Sequence, residues 1–194
     1  MLLNENFLRE EARRMKFQFS YDDIIKANIY LAEHSDPTQM KTYDIFLSHS
    51  SLDQDLVLAL VRLFNQARYS VYVDWIEDSE LDRNNVTKCT ATILKKRMIQ
   101  SRGLAYVSTK NITNSKWCPW ELGYFDGRKN ERCCILPVME GKRFEGQEYL
   151  GLYPYLTYSQ IKDSDKYDFW VYEQETEKYV KLRSWLDGKN PFYH

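Results

Sequence analysis

Short apolar runs of strand length recur along the chain with amphipathic stretches of helix length between them, and this alternation restricts the fold more than any other feature. Tyr43-Asp44-Ile45-Phe46-Leu47-Ser48, Ser70-Val71-Tyr72-Val73-Asp74-Trp75, Leu104-Ala105-Tyr106-Val107-Ser108 and Cys133-Cys134-Ile135-Leu136-Pro137-Val138 read as strands, with a weaker fifth near Tyr155 to Ser159. After the first strand, Ser51-Leu52-Asp53-Gln54 has capping-box spacing, and Leu56, Leu60, Leu63, Phe64 and Ala67 follow at helical intervals. Cys89, Ile93, Leu94 and Met98 line a second helical face, and a final helix is expected over roughly Glu173 to Leu186. Strands joined by helices of this length form right-handed βαβ units, and so an α/β fold with a parallel sheet of about five strands covered by helices on both faces.

Ahead of this alternation, residues 1 to about 34 read as helices. Phe7, Leu8 and Met15 lie among charges, and Ser20-Tyr21-Asp22-Asp23 offers a cap before Ile24, Ile25, Ile29 and Leu31. The polar stretch His34-Ser35-Asp36-Pro37-Thr38 ends the helical pattern, which divides the chain into an N-terminal helical extension, 1–40, and a main domain with its C-terminal helix, 41–194.

Several function classes lose support from composition. The 27 basic and 28 acidic side chains give a net charge of −1, without the basic field that holds nucleic acid or an anionic membrane, so neither partner is expected. Nothing resembles a signal peptide, and no run reaches the roughly 18 apolar residues of a membrane span. Four cysteines without CxxC pairing fit a reducing compartment, and the protein is expected to be cytoplasmic. The three histidines, His34, His49 and His194, are scattered, so no metal site is expected. Neither GxGxxG nor GxxxxGK[ST] occurs.

In a parallel sheet, ligands bind beyond the carboxyl ends of the strands, where strand order reverses. Those ends carry Ser48-His49-Ser50, Asp74-Trp75, Ser108-Thr109 and Val138-Met139, and the third strand leads into Ser115-Lys116-Trp117-Cys118-Pro119-Trp120-Glu121. Pro119 is tolerated only in a first helical turn, which starts a helix around Ser115 to Cys118 and puts Glu121 in or near that turn, with Trp117 four residues earlier. A carboxylate beside an aromatic wall suits a ligand with hydroxyls and a cationic ring: it accepts bonds from ribose hydroxyls and stabilises the charge that develops as a glycosidic bond breaks. Blander roles fit as well. Acids stabilise first turns, tryptophans anchor cores, Ser48 and Ser50 can cap a helix, His49 can be an exposed loop residue, Asp74 can pair with Arg83, and Trp75 can be partly buried packing. Cys118 with His49 as thiol and base has no evident third orienting group.

Taken together, Tyr43 to Asp53 (YDIFLSHSSLD), Val71 to Trp75 (VYVDW) and Ser115 to Gly127 (SKWCPWELGYFDG) resemble the TIR (Toll/interleukin-1 receptor) domain family, particularly its bacterial members, over about residues 42 to 160. The resemblance implies a flavodoxin-like sheet and one of two activities, cleavage of the nicotinamide–ribose bond of NAD⁺ or non-enzymatic TIR–TIR assembly as an adaptor. By the Trp-x-x-x-Glu pattern it implies Glu121 as the catalytic residue, with Ser48, His49, Asp74, Trp75 and Trp117 lining the substrate pocket. NAD⁺ would be the substrate, and no cofactor is implied. In many family members the loop matching Trp75 to Arg83 carries a Pro-Gly or similar turn, which Ile76 to Asp82 lacks. A free-standing chain of this size also resembles the TIR component of Thoeris anti-phage systems. That implies self-association, a phage-derived trigger, and an ADP-ribose-derived product that switches on a separate effector.

Overall fold

The computed structural model describes residues 3–18, 21–33, 41–78, 87–129, 132–139, 148–173 and 176–193. Its strands are β1 (Leu3–Asn4), β2 (Tyr43–Ser48), β3 (Val71–Tyr72), β4 (Ser101–Ser108), β5 (Cys133–Met139), β6 (Tyr155–Gln160), β7 (Tyr167–Tyr172) and β8 (Tyr179–Lys181). The helices are α1 (Glu5–Gln18), α2 (Tyr21–Glu33), α3 (Gln54–Gln66), α4 (Asp74–Glu77), α5 (Lys88–Ile99), α6 (Trp117–Asp126) and α7 (Leu182–Leu186). The strands run β3-β2-β4-β5-β6-β7-β8 across one sheet, parallel from β3 to β6, with β1 pairing in parallel to the far end of β5. The expected α/β architecture with a parallel core of five strands is therefore present, and its order reverses between β2 and β4.

Both faces are covered because the strands are apolar on both. Ile45, Leu47, Ala105, Val107, Cys134 and Leu136 join α1, α3 and α7 in one core, while Phe46, Leu104, Tyr106, Cys133 and Ile135 join α5 and α6 in the other. Near-continuous apolar runs are what a doubly covered parallel strand requires. Gly103 of β4 admits α7, since a Cβ there would stand 2.7 Å from a Leu186 methyl and 3.1 Å from the Trp185 ring.

Three local expectations are corrected. The C-terminal helix is only α7, because residues 179–181, within the expected helical span, form a strand antiparallel to residues 167–172, which precede that span. Tyr167-Asp168-Phe169-Trp170-Val171-Tyr172 buries Phe169 and Val171 on alternate positions, a period of two rather than 3.6. The capping box at Ser51 is not made: Ser50 accepts from Leu52 N–H at 3.3 Å, residues 51–53 form a 3₁₀ turn, and α3 starts at Gln54. The second strand ends at Tyr72, and Asp74 and Trp75 begin a helical turn.

The N-terminal helices lie against the sheet. Leu3, Leu8, Ala12 and Ile24 are buried in the core around α3, and Ala32 in the opposite core. Ile24, Asn28 and Ala32 form one helical stripe, so α2 crosses the β3 edge from one face to the other. There Asn28 donates to the Val71 carbonyl at 2.7 Å and accepts from Val71 N–H at 2.8 Å, pairing the outward backbone groups of an edge strand. The linker at 34–40, which holds the expected boundary, lies outside the described residues.

Candidate functional site

Three strand ends meet at the order reversal. Ser48, the last residue of β2, donates from its hydroxyl to Glu121 Oε2 at 2.7 Å, and both side chains are fully enclosed. Glu121 is the fifth residue of α6, with Pro119 in its first turn as the sequence requires. It lies just past that turn, and the Ser48 hydroxyl is one of its partners.

His49 is 2% exposed and its ring is oriented at both nitrogens. Nδ1 is 2.8 Å from the Leu47 carbonyl and must donate, which leaves Nε2 to accept from Trp75 Nε1–H at 3.0 Å. The Asp74 carboxylate stands 3.5 Å from the same Nε2. Ser48, His49, Asp74, Trp75 and Glu121 thus form one cluster, in which His49 is enclosed rather than an exposed loop residue. Trp117, one turn ahead of Glu121 on α6, is buried with its ring edge-on to Trp120 at 5.4 Å. Trp120 stacks on Tyr124, and Lys95 lies over both rings. His34, His194 and the suggested partner of Asp74, Arg83, fall outside the described residues, as does the loop from 79 to 86.

The Asp74-Trp75 turn is anchored from behind. Arg97 grips the Asp78 carboxylate with two bonds of 2.8 and 2.7 Å, and the Tyr72 hydroxyl donates to it at 2.9 Å. Burial works against the charge on Asp78, but Arg97 and Tyr72 outweigh it and hold this carboxyl below its ordinary range. Burial among Asp78 and Asp74 pushes the Tyr72 hydroxyl well up, so it stays a donor.

Two contacts here have no counterpart in the sequence reading. The Cys118 thiol donates to the His49 carbonyl at 3.1 Å, so it is no nucleophile facing an imidazole base. Asp53, 3% exposed, accepts from Thr109 Oγ1 and from Asn111 Nδ2, each at 2.6 Å, joining the loops after β2 and β4. The strand-end rule singles out Thr109, but no local spacing marks a contact between residues more than fifty positions apart.

Comparison with known proteins places the chain among relatives of one family. A family profile described as TIR domain matches residues 45–179. A Bacillus cereus (strain MSX-D12) protein named "Probable 3' cyclic ADP-D-ribose synthase ThsB'" is 42% identical over 188 residues, covering 95% of this chain and 94% of that protein. "Putative cyclic ADP-D-ribose synthase TIR2" of Cytobacillus dafuensis is 38% identical over 93 residues, 47% of this chain and 24% of the relative. Among solved structures, the TIR domain of the Toll-related receptor TRR-2 from Hydra magnipapillata aligns with a TM-score of 0.45 at 19% identity, covering 59% of this chain and 82% of that one.

Proposed function

The chain belongs to the TIR domain family, and from that membership and the site geometry we propose that it cleaves the nicotinamide–ribose bond of NAD⁺ and closes the remaining ADP-ribose on itself. The observation that carries this reading is a carboxylate, Glu121, held by a strand-end hydroxyl at the reversal point of the sheet. In the reaction the C1′–N bond breaks, its electron pair leaves with neutral nicotinamide, and positive charge develops on the ribose. Glu121 stabilises that charge and accepts bonds from the ribose hydroxyls. A hydroxyl or ring nitrogen of the same molecule then attacks C1′ and, where a hydroxyl attacks, sheds its proton. The name of the Bacillus cereus relative supports a cyclic product over hydrolysis.

Ser48 orients Glu121, while His49, Asp74, Trp75 and Trp117 shape the pocket wall. Because Glu121 is completely enclosed in this conformation, turnover includes a step that uncovers it. The same reading makes the protein a cytoplasmic, self-associating enzyme of anti-phage defence, switched on by a phage-derived trigger and acting through its product on an effector. Among the described residues no helix is long and apolar enough to cross a membrane. Residues 1–40 are assigned to an N-terminal helical extension and residues 41–194 to a TIR domain.

The test is incubation of concentrated protein with NAD⁺ and a crowding agent, beside Glu121→Ala and Glu121→Gln, with nicotinamide and adenine-containing products identified by mass. Release by wild type, with both variants slower by on the order of a hundred- to a thousandfold, is the expected result. Equal release by all three removes Glu121 from its role, and a silent wild type, also silent in phage-infected cells, removes the enzyme reading.

A further inference from the structure

We propose that Asp53 is a positioning residue for this reaction, fixing Glu121 against the ribose through the loop between β4 and α6. The inference rests on the NAD⁺-cleaving reading. Asp53 stands at the start of α3, where a carboxylate would ordinarily cap, yet it makes no side-chain cap bond. Both of its oxygens are used on one remote loop, at 2.6 Å to Thr109 Oγ1 and 2.6 Å to Asn111 Nδ2. Burying a carboxylate is costly unless it is bonded, so this site is specified for that clasp.

From the clasp an unbroken series of bonds leads to the reacting end of α6. Thr109 Oγ1 accepts from Asn111 N–H at 3.1 Å, and Ile112 N–H donates to the Thr109 carbonyl at 3.2 Å. Ser115 N–H reaches the Ile112 carbonyl at 3.0 Å, and Ser115 Oγ accepts from Cys118 N–H at 3.2 Å, where α6 begins. On the other side, Asp53 N–H bonds the Ser50 carbonyl at 3.1 Å, two residues beyond Ser48. The end of β2 and the loop after it thus meet the segment from β4 into α6 through Asp53 with Thr109 and Asn111, through the His49 carbonyl with Cys118, and through Ser48 with Glu121. The first is the one set apart from the Ser48–Glu121 contact, and it sets the register at which α6 presents its carboxylate. Reactions of positioned groups are sensitive to displacements of about 1 Å, which can cost on the order of a hundredfold.

The full-length protein would be assayed with NAD⁺ as wild type, Asp53→Ala, Asp53→Asn and Asn111→Ala, with kcat, KM and the partition between cyclic and linear ADP-ribose measured. Asp53→Ala is expected to lower kcat at least tenfold with KM within threefold, and to shift the partition at least threefold towards capture by water. Asn111→Ala should move both in the same direction by less. Asp53→Asn keeps an acceptor for Asn111 and can donate to Thr109 Oγ1, so it should retain most of the wild-type partition. The partition is a property of each turnover and does not depend on how much protein is folded. A kcat that falls only with the folded fraction, or an unchanged kcat, at wild-type partition overturns the inference while leaving the reaction intact. A wild type that releases no nicotinamide overturns the functional reading and this inference with it.

Discussion

At the residue scale the chemistry depends on a few side chains whose partners decide their roles. Ser48 contributes one hydroxyl to a carboxylate with no exposed surface, and a hydrogen bond to a charged group is worth about 1.5–3 kcal/mol. Ser48→Ala is therefore expected to lower kcat for nicotinamide release by tenfold or more, without unfolding the protein; an unchanged kcat would remove Ser48 from the site. The thiols offer a second check. Cys89 is exposed, whereas Cys118, Cys133 and Cys134 are buried, and burial pushes the Cys133 and Cys134 thiols well up. A thiol-reactive chromophore should titrate one cysteine in the native protein and four in denaturant. Strand ends and a proline-started helix, recognisable from local spacing, brought these residues into a wider set of candidates, and the resemblance to the TIR family singled them out. Their pairings were not legible in the sequence: the Ser48 hydroxyl meets a residue 73 positions away, and the His49 ring, bonded to the nearby Leu47 carbonyl through Nδ1, takes its second partner at Nε2 from Trp75, 26 positions away.

Elements succeed or fail by how their local pattern competes with tertiary contacts. The parallel strands are nearly continuous apolar runs and were readable as such, whereas β7 is only partly buried, with Phe169 and Val171 inward, and lacks the apolar run that marked the others. Strand β1, two residues long, has no pattern at all and exists only through its pairing with Val138 and Met139. The β3 edge depends on α2 in the same way. Asn28→Ala would leave the outward N–H and carbonyl of Val71 unpaired at a buried position, a loss of roughly 2–3 kcal/mol. Denaturant unfolding should show that loss; a change under 0.5 kcal/mol would mean that water replaces the amide. The α4 turn behind the site depends on Asp78, whose carboxyl is depressed in the folded state. Its contribution is present above the unfolded carboxylate range near pH 4 and is lost as pH falls through the lower folded value. The gap in melting temperature between wild type and Asp78→Asn should accordingly be full at pH 7 and narrow as the pH falls below the unfolded carboxylate range; a gap independent of pH would assign it to packing instead.

For the whole molecule the decisive question is what the N-terminal segment does for a sheet that could otherwise stand alone. The family match begins at residue 45, yet Leu3, Leu8, Ala12 and Ile24 are buried in the same core as α3, and Asn28 pairs the β3 edge. Composition and helical period marked these residues as helices but not as core, because Leu8 lies among charged neighbours and its burial is decided by α3, nearly fifty residues later. Burying Leu3, Leu8 and Ile24 is worth on the order of 5 kcal/mol, which for a chain of this size corresponds to roughly 10–20 °C in melting temperature. A protein lacking residues 1–33 would also present an unpaired strand edge beside an apolar helix face, the combination that drives edge-to-edge association. It should melt at least 10 °C lower and sediment as concentration-dependent oligomers, while full-length Asn28→Ala, which keeps the apolar cover, should lose stability without associating. A truncated protein that stays monomeric with an unchanged melting temperature would make the segment a detachable extension, and would separate the covering of the edge from the stability of the domain behind it.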